Sequence, residues 1–364
     1  MIEEIVQPLL EWYRKGHREL PWRQQKNPYY IWVSEIMLQQ TRVEAVKPYF
    51  QRFIQALPTV KDLAVCPEEQ LLKLWEGLGY YNRVRNMQKA AVIVCDQMEG
   101  KLPADYNKLR SLPGIGNYTA GAVASIAFDL PVPAVDGNVL RVLARVREDS
   151  GDIMKQSVKK RVEEELLPIM PKDAPGDLNQ ALMELGAVIC VPNGAPKCEE
   201  CPLASQCRSR ASGTTEKFPV KSKGKSRRIE DRTVLVIRDG ERVAIRRRPS
   251  RGLLAGLYEF PNYKGHLSRQ EVLNLLEEEH LSPVRILPLQ ESKHIFSHVE
   301  WHMTGYLVRV ASLDSGEGTG FLFVDIGTAE EKYPVPAAFG AYAKELQLRL
   351  GQEKYYYQNQ EEHR

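Results

Sequence analysis

The stretch Leu112-Pro-Gly-Ile-Gly-Asn-Tyr-Thr-Ala120, followed by Val135-Asp-Gly-Asn-Val139, decides how this chain is read. Gly114 and Gly116 flank a turn, and Asn117 stands where an N-cap would open the apolar run Tyr118 to Phe128. A Gly-x-Gly turn at the start of a helix lets backbone N–H groups converge on a phosphate, because no Cβ blocks close approach. Pro131 and Pro133 then end the helix and deliver Asp136 and Asn138. Gly-x-Gly turns are common in loops. The Leu-Pro in front, Thr119-Ala120 behind and a lone carboxylate one helix downstream make this one specific.

The 364 residues suffice for two domains with real cores. A net charge of +3 is mild, so a nucleic-acid partner would be held by a local basic surface rather than by overall charge. Met1 to Glu11 has no signal-peptide apolar region, and no stretch reaches the length of a membrane span. These features predict a soluble cytoplasmic chain with no membrane partner. In that compartment six cysteines point to metal rather than to structural disulfides.

Residues 1–207 read as mostly helical. Asn27-Pro28 caps a helix running to Leu38, and Thr41-Arg-Val-Glu44 has the pattern of a capping box for the next, leaving Gln39 and Gln40 in the turn between them. Further helical runs are expected at 67–75, 83–98, 157–170 and 177–190. Residues 208–230, rich in Ser, Gly, Lys and Arg, read as an extended basic linker. Beyond it, strands are expected at 232–238, 243–248, 284–289, 293–297, 302–310 and 321–325. A helix with a capping box at Ser268–Glu271 separates them, and a terminal helix is expected near 337–350.

Cys190, Cys198, Cys201 and Cys207 form a C-x7-C-x2-C-x5-C run closing the helical part. Four thiolates so close can enclose a cubane iron–sulfur cluster or a tetrahedral zinc, stapling a loop that has little apolar material of its own. Cys66 and Cys95 lie apart and read as core residues.

With Pro21-Trp-Arg23, Trp32-Val-Ser-Glu-Ile-Met-Leu-Gln-Gln-Thr41 and Gly77-Leu-Gly-Tyr-Tyr81 added, the chain resembles the endonuclease III superfamily and, over nearly its whole length, one branch of it. More narrowly it resembles the MutY-type adenine DNA glycosylases. The family's spacing between the first two cysteines is usually one residue shorter, so the loop Val191–Lys197 carries an insertion. The resemblance implies two domains, an all-α helix-hairpin-helix glycosylase domain at 1–207 and an α/β Nudix-like domain at 231–364, joined by 208–230. It implies a [4Fe-4S] cluster on the four cysteines. It also implies a monomer acting on double-stranded DNA with adenine opposite 8-oxoguanine or guanine, nucleoid-associated in a prokaryote.

Glu35, late in its helix among Trp32, Ile36 and Met37, should have a raised pKa through desolvation and the helix dipole, as suits an acid that protonates adenine. Asp136, aided by Asn138, should stay ionised and either stabilise the sugar cation electrostatically or form a transient acetal with it. By the resemblance, Tyr118 occupies the position where strand-cutting relatives carry a Schiff-base lysine, which implies base removal alone. Trp22, Arg23 and Gln180 match positions lining an adenine pocket. Gln40 and Tyr80 are candidate wedges filling the space of an extruded base, with Leu38 and Leu78 as helpers.

The segment Leu253–Pro261 resembles the entry to a Nudix-like domain, yet the helix from Ser268 to Glu279 lacks the glutamate pattern that holds magnesium. Pyrophosphate hydrolysis is therefore rejected in favour of recognition, with Phe296-Ser-His298 matching the loop that detects 8-oxoguanine. Two rival readings are a pyrimidine glycosylase/lyase of endonuclease III type and a non-catalytic, redox-responsive DNA-binding protein. Tyr118 speaks against the first, and Glu35 with Asp136 against the second.

Overall fold

The computed structural model describes residues 2–222, 224, 226–313 and 320–351. They fall into two compact units, Met1–Val65 with Arg85–Lys223, and Cys66–Val84 with Gly224–Arg364. The segment Cys66–Val84 thus packs with the second unit although it lies within the helical half of the sequence.

The helices in chain order are α1 (Val6–Lys15), α2 (Pro28–Leu38), α3 (Val43–Ala56), α4 (Val60–Val65), α5 (Glu68–Leu74), α6 (Asn82–Gln97), α7 (Tyr106–Ser111), α8 (Asn117–Phe128), α9 (Gly137–Arg147), α10 (Gln156–Leu166), α11 (Pro175–Val188) and α12 (Arg208–Ala211). Asn27 caps α2 as expected, accepting from the N–H groups of Tyr29 and Tyr30. The capping box at Thr41–Glu44 does not form: Arg42 is the N-cap of α3, with no side-chain bond. Asn117 does not cap α8 either. It is the first helical residue, Gly116 takes the cap position, and the Asn117 amide donates instead to Glu163 Oε2 at 3.0 Å. The start of α8 is therefore left without a side-chain cap. No described helix is long and apolar enough to cross a membrane.

The extended linker expected at 208–230 is folded over its first part. Arg145, 4% exposed on α9, must satisfy a buried guanidinium, and its Nε donates to the carbonyls of Thr215 and Phe218, both at 3.0 Å. Val220 O in turn accepts from Ile153 N–H at 3.1 Å.

The second unit is built on a seven-stranded mixed sheet. Strand β1 (Arg228–Asp239) pairs antiparallel with β2 (Arg242–Arg247) and β4 (Asn262–Lys264), and parallel with β6 (Val299–Val310). Strand β3 (Tyr258–Glu259) and β7 (Leu322–Asp325) pair with β2, while β5 (Pro283–Ile295) forms the far edge against β6. The two strands expected at 284–289 and 293–297 are one strand, interrupted between Leu289 and Ser292 by a register shift. The alternation along β1 explains its unbroken apolar run. Val234 and Val236 face a core with Trp301 and Phe339, whereas Leu235 and Ile237 face one with Val272 and Leu276. Val272 and Leu276 belong to α13 (Arg269–Glu278), whose capping box at Ser268 and Glu271 forms as expected. The terminal helix expected near 337–350 is broken into the short turns Ala337–Phe339, Gly340–Ala343 and Lys344–Leu346.

One close approach positions the first unit's carboxylates. A Cβ on Gly121 of α8 would lie 2.2 Å from Pro133 O and 3.3 Å from Ala134 Cα, so only glycine lets α8 meet the chain that leads into Asp136. Both opposing atoms are backbone, so they cannot turn aside. Gly121→Ala should cost about 1–3 kcal/mol of stability, read as a lower midpoint in urea unfolding; an unchanged midpoint would show that this approach is soft.

Candidate active site

Helix α2 is buried from Ile31 to Met37, so Glu35 enters the interior along with its apolar neighbours and is 6% exposed. Burial pushes its carboxyl up to about 7, opposed by a hydrogen bond from Tyr118 and helped by the nearby charge of Asp136. Tyr118, in the first turn of α8, donates its hydroxyl to Glu35 Oε2. Burial first, then both carboxylates, raises the Tyr118 phenol well above its ordinary range, so it stays neutral. A second acceptor, Met183 Sδ, lies 3.3 Å from the same oxygen. The pair can therefore hold a proton on the acid: a neutral Glu35 donates to the phenol oxygen while the phenol turns to the sulfur.

Asp136 is the N-cap of α9. Its Oδ1 accepts from the N–H groups of Asn138 and Val139, both at 2.8 Å, and its Oδ2 accepts from Asn138 Nδ2 at 2.6 Å. Burial raises its pKa, a pull away from the ionised state expected from the sequence. All three hydrogen bonds and the charge of Arg141 oppose that rise. Three donors and a helix N-terminus suit an anion and leave a protonated oxygen with nothing to donate to. Glu35 has a hydroxyl that can accept; Asp136 has only donors. The two carboxyl groups thus share one desolvated site with different preferred charges.

Behind Asp136 stands Arg141, 5% exposed. Its Nη2 donates to Asn138 Oδ1 at 2.8 Å and Gly186 O at 2.7 Å, and its Nε to Cys190 O at 2.8 Å. One turn on, Arg145 Nη1 donates to Cys190 Sγ at 3.3 Å and Val191 O at 2.9 Å. Sequence reasoning missed both arginines. The signal was there: two charges at i and i+4 on the otherwise apolar face of α9.

Trp22, Arg23 and Gln180 line one cavity, together with Tyr13, His17 and Asp177. Trp22 is buried and meets Phe50 edge-on at 5.4 Å. Arg23 is already engaged: its Nη2 donates to Glu184 Oε2 at 2.9 Å, and Arg18 Nε meets Glu184 Oε1 at 2.6 Å. Glu184, 1% exposed, was not foreseen, although a lone acid among Leu182, Met183 and Leu185 marks it. It fixes Arg23, whose charge acts on Glu35.

Gly114 takes a φ of +79°, and a Cβ there would press on Asn86 at 2.8 Å. Gly116 has an ordinary φ of −93°. Leu38 is half-buried, while Gln40 is exposed in a left-handed conformation, φ 62°. In the second unit, Tyr80 is likewise left-handed and 48% exposed, whereas Leu78 is 5% exposed and belongs to the interior rather than to a wedge. Phe296-Ser-His298 forms the turn between β5 and β6. Phe296 packs edge-on against Trp301 at 5.0 Å, its carbonyl accepts from Arg227 Nε at 3.1 Å, and Ser297 Oγ lies 3.1 Å from Tyr80 OH.

Cys190, Cys198, Cys201 and Cys207 line one cavity with Val142, Leu185 and Arg145. Burial raises the Cys201 thiol to about 11, and the other three thiols add to the rise. Among the described residues no group of three or more His, Cys, Asp or Glu is arranged to hold a metal ion. Four thiols lining one cavity are soft donors of the kind that hold zinc or an iron–sulfur cluster.

Residues 33–168 match the HhH-GPD superfamily base excision DNA repair protein family, and 233–345 match the NUDIX domain. Among solved structures, the first part is similar to a thermostable thymine-DNA glycosylase, at 28% identity and a TM-score of 0.51 over 58% of this chain and 97% of that one. It is similar also to endonuclease III in a non-covalent DNA complex, at 27% identity and a TM-score of 0.50 over 58% of this chain and 96% of that one. A helix-hairpin-helix domain of base excision repair is thus joined to a Nudix domain. The adenine DNA glycosylase of Rattus norvegicus is 37% identical over 80% of this chain and 68% of its own length, and that of Buchnera aphidicola subsp. Acyrthosiphon pisum 34% over 84% and 86%. The chain belongs to the adenine DNA glycosylase family.

The Glu35 carboxyl titrates near 7 in the folded state but near 4.5 in the open chain. As pH rises between those values the unfolded chain loses its proton first, so burial of Glu35 costs stability that is fully expressed above 7. Glu35→Gln should therefore stabilise the protein by a few kcal/mol at roughly pH 8, and the gain should vanish by about pH 4. Urea unfolding at the two pH values measures this; a gain independent of pH would mean that Glu35 is not the group concerned.

Proposed function

We infer that this chain hydrolyses the N-glycosidic bond of adenine mispaired with 8-oxoguanine, or with guanine, in duplex DNA, and leaves an abasic site uncut. The observation that carries this reading is the shared site of Glu35, Tyr118 and Asp136, with an acid near neutrality beside a carboxylate held by three donors.

Glu35 gives its proton to adenine N7 as the bond from the sugar to N9 breaks, and the bonding electrons leave with the neutral base. Tyr118 holds the acid in position before the transfer and donates to its carboxylate afterwards. Asp136 stays anionic and offsets the charge growing on the deoxyribose. Water completes the reaction, and its proton restores Glu35. Tyrosine has no amine for an imine with the opened sugar, so strand cleavage has no nucleophile at position 118.

The base must leave the stack at a cost of a few kcal/mol. Gln40 and Tyr80, exposed on left-handed turns, are suited to fill the gap. Trp22 and Gln180 would receive adenine in the cavity they line, Trp22 by stacking and Gln180 through an amide with no partner among the described residues. Arg23, held by Glu184, acts on Glu35 through its charge rather than as a free ligand. The uncapped N-terminus of α8, behind Gly114 and Gly116, is open to a DNA phosphate. Ser297, with Phe296 behind it and His298 exposed beside it, would read the hydrogen on N7 and the oxygen on C8 that distinguish 8-oxoguanine. Cys190, Cys198, Cys201 and Cys207 would hold a [4Fe-4S] cluster, which when bound supplies a structural staple for the loop.

Single-turnover assays on duplexes with adenine opposite 8-oxoguanine, G, C or T, before and after alkali, test the reading. Adenine should be released fastest opposite 8-oxoguanine, with strand breaks only after alkali. Glu35→Gln should abolish release, a loss of at least about a hundredfold, without loss of mispair binding. Breaks without alkali, or release by the variant at the wild-type rate, would refute it. Separately, Ser297→Ala combined with Phe296→Ala should shrink the ratio of 8-oxoguanine to guanine activity; an unaltered ratio removes the turn from recognition.

A further inference from the structure

The segment Cys66–Val84 is fixed in the second unit by a buried ion pair. Lys73 Nζ lies 2.8 Å from Glu76 Oε2, with side chains 13% and 0% exposed. Lys73 also donates to Tyr333 O at 2.9 Å, and Glu76 Oε1 accepts from Val335 N–H at 2.8 Å. Tyr258, whose N–H donates to Pro334 O at 3.0 Å, is hydrogen-bonded through its side chain to Glu69. The end of α5 is thus tied to the extended stretch 333–335 by charged, directional contacts. Apolar packing would hold α5 without the several kcal/mol that each buried ion costs; what an ion pair adds, with each member also bonded to the backbone of 333–335, is a single register.

That register passes straight to Tyr80. Trp75 Nε1 donates to Gly79 O at 3.0 Å, and Arg83 Nη2 donates to Leu78 O at 3.0 Å and Gly79 O at 3.2 Å. Gly77 and Gly79, both at positive φ, and then left-handed Tyr80 complete a turn with little freedom. Its exposed phenol ends 3.1 Å from Ser297 Oγ.

We propose that the Lys73–Glu76 pair is a positioning device that holds Tyr80 on Ser297 and thereby sets the discrimination between 8-oxoguanine and guanine opposite the excised adenine. This rests on the reading of the Phe296–His298 turn as the sensor of that base. Ser297 has one proton and two lone pairs to offer, and the phenol of Tyr80 commits one of these. Which atoms remain for N7 and C8 of the opposite base depends on where Tyr80 stands. An ångström of drift at Glu76 is enough to blur that choice.

The test uses the full chain and two duplexes, adenine opposite 8-oxoguanine and opposite guanine, in wild type, Glu76→Gln, Lys73→Met and Lys73→Met/Glu76→Gln. The double variant leaves no lone buried charge, so it keeps the question answerable if a single variant fails to fold. The wild-type preference should fall about tenfold in the folded variants, while single-turnover release opposite guanine stays within about twofold. In a Tyr80→Ala background, Glu76→Gln should change the preference no further, as expected if it acts only through Tyr80. A preference kept in folded Glu76→Gln and in the double variant overturns the proposal, as does an undiminished effect of Glu76→Gln without Tyr80. A wild-type chain with no preference overturns the sensor reading instead.

Discussion

Two carboxyl groups in one water-poor space cannot both carry charge cheaply, and the first unit is arranged around that constraint. Glu35 is surrounded on α2 by apolar residues and faces a phenol that can accept a proton as well as give one. Asp136 sits at the mouth of α9, where two backbone N–H groups and an asparagine amide all point at it. Burial raises both, but only Glu35 has a partner for its neutral form. The difference in hydrogen-bonding partners, more than the difference in burial, is what sets the two carboxyl groups apart.

Buried arginines supply the rigidity this division needs. Arg141 joins Asn138, Gly186 and the carbonyl of Cys190, and so ties the cap of α9 to α11 and to the start of the cysteine loop. Arg145 gathers Cys190, Val191, Thr215 and Phe218 around the next turn. Glu184 does the reverse for Arg18 and Arg23. Each such group was taken from water, and each is held by several bonds, so a single lost partner leaves a costly orphan.

Much of this was legible in the sequence because local chemistry and global fold agree. The cap at Asn27, the capping box at Ser268 and the strand at 232–238 are each settled by local chemistry that the fold keeps. The failures have a common cause. Asn117 and Thr41–Glu44 satisfy local capping rules, yet Asn117 finds Glu163, far along the chain, and α3 begins at Val43 without a side-chain cap. The stretch after Cys207 looks like a charged linker until the acceptors needed by Arg145 are known. The backbone partners of Lys73 and Glu76 lie in residues 333–335, beyond the reach of any local pattern. Long-range polar bonds are what periodicity does not report.

The sheet of the second unit is covered on both sides, with successive residues of β1 entering opposite cores. Such strands have no neutral positions: every side chain is a packing decision, and drift is penalised whichever way it points. Substitutions are tolerated best at the rim, at the exposed positions of β5 and the turn that follows it. A frame fixed from both faces can carry a variable edge without losing its register, so changes at that edge leave the fold of the unit intact.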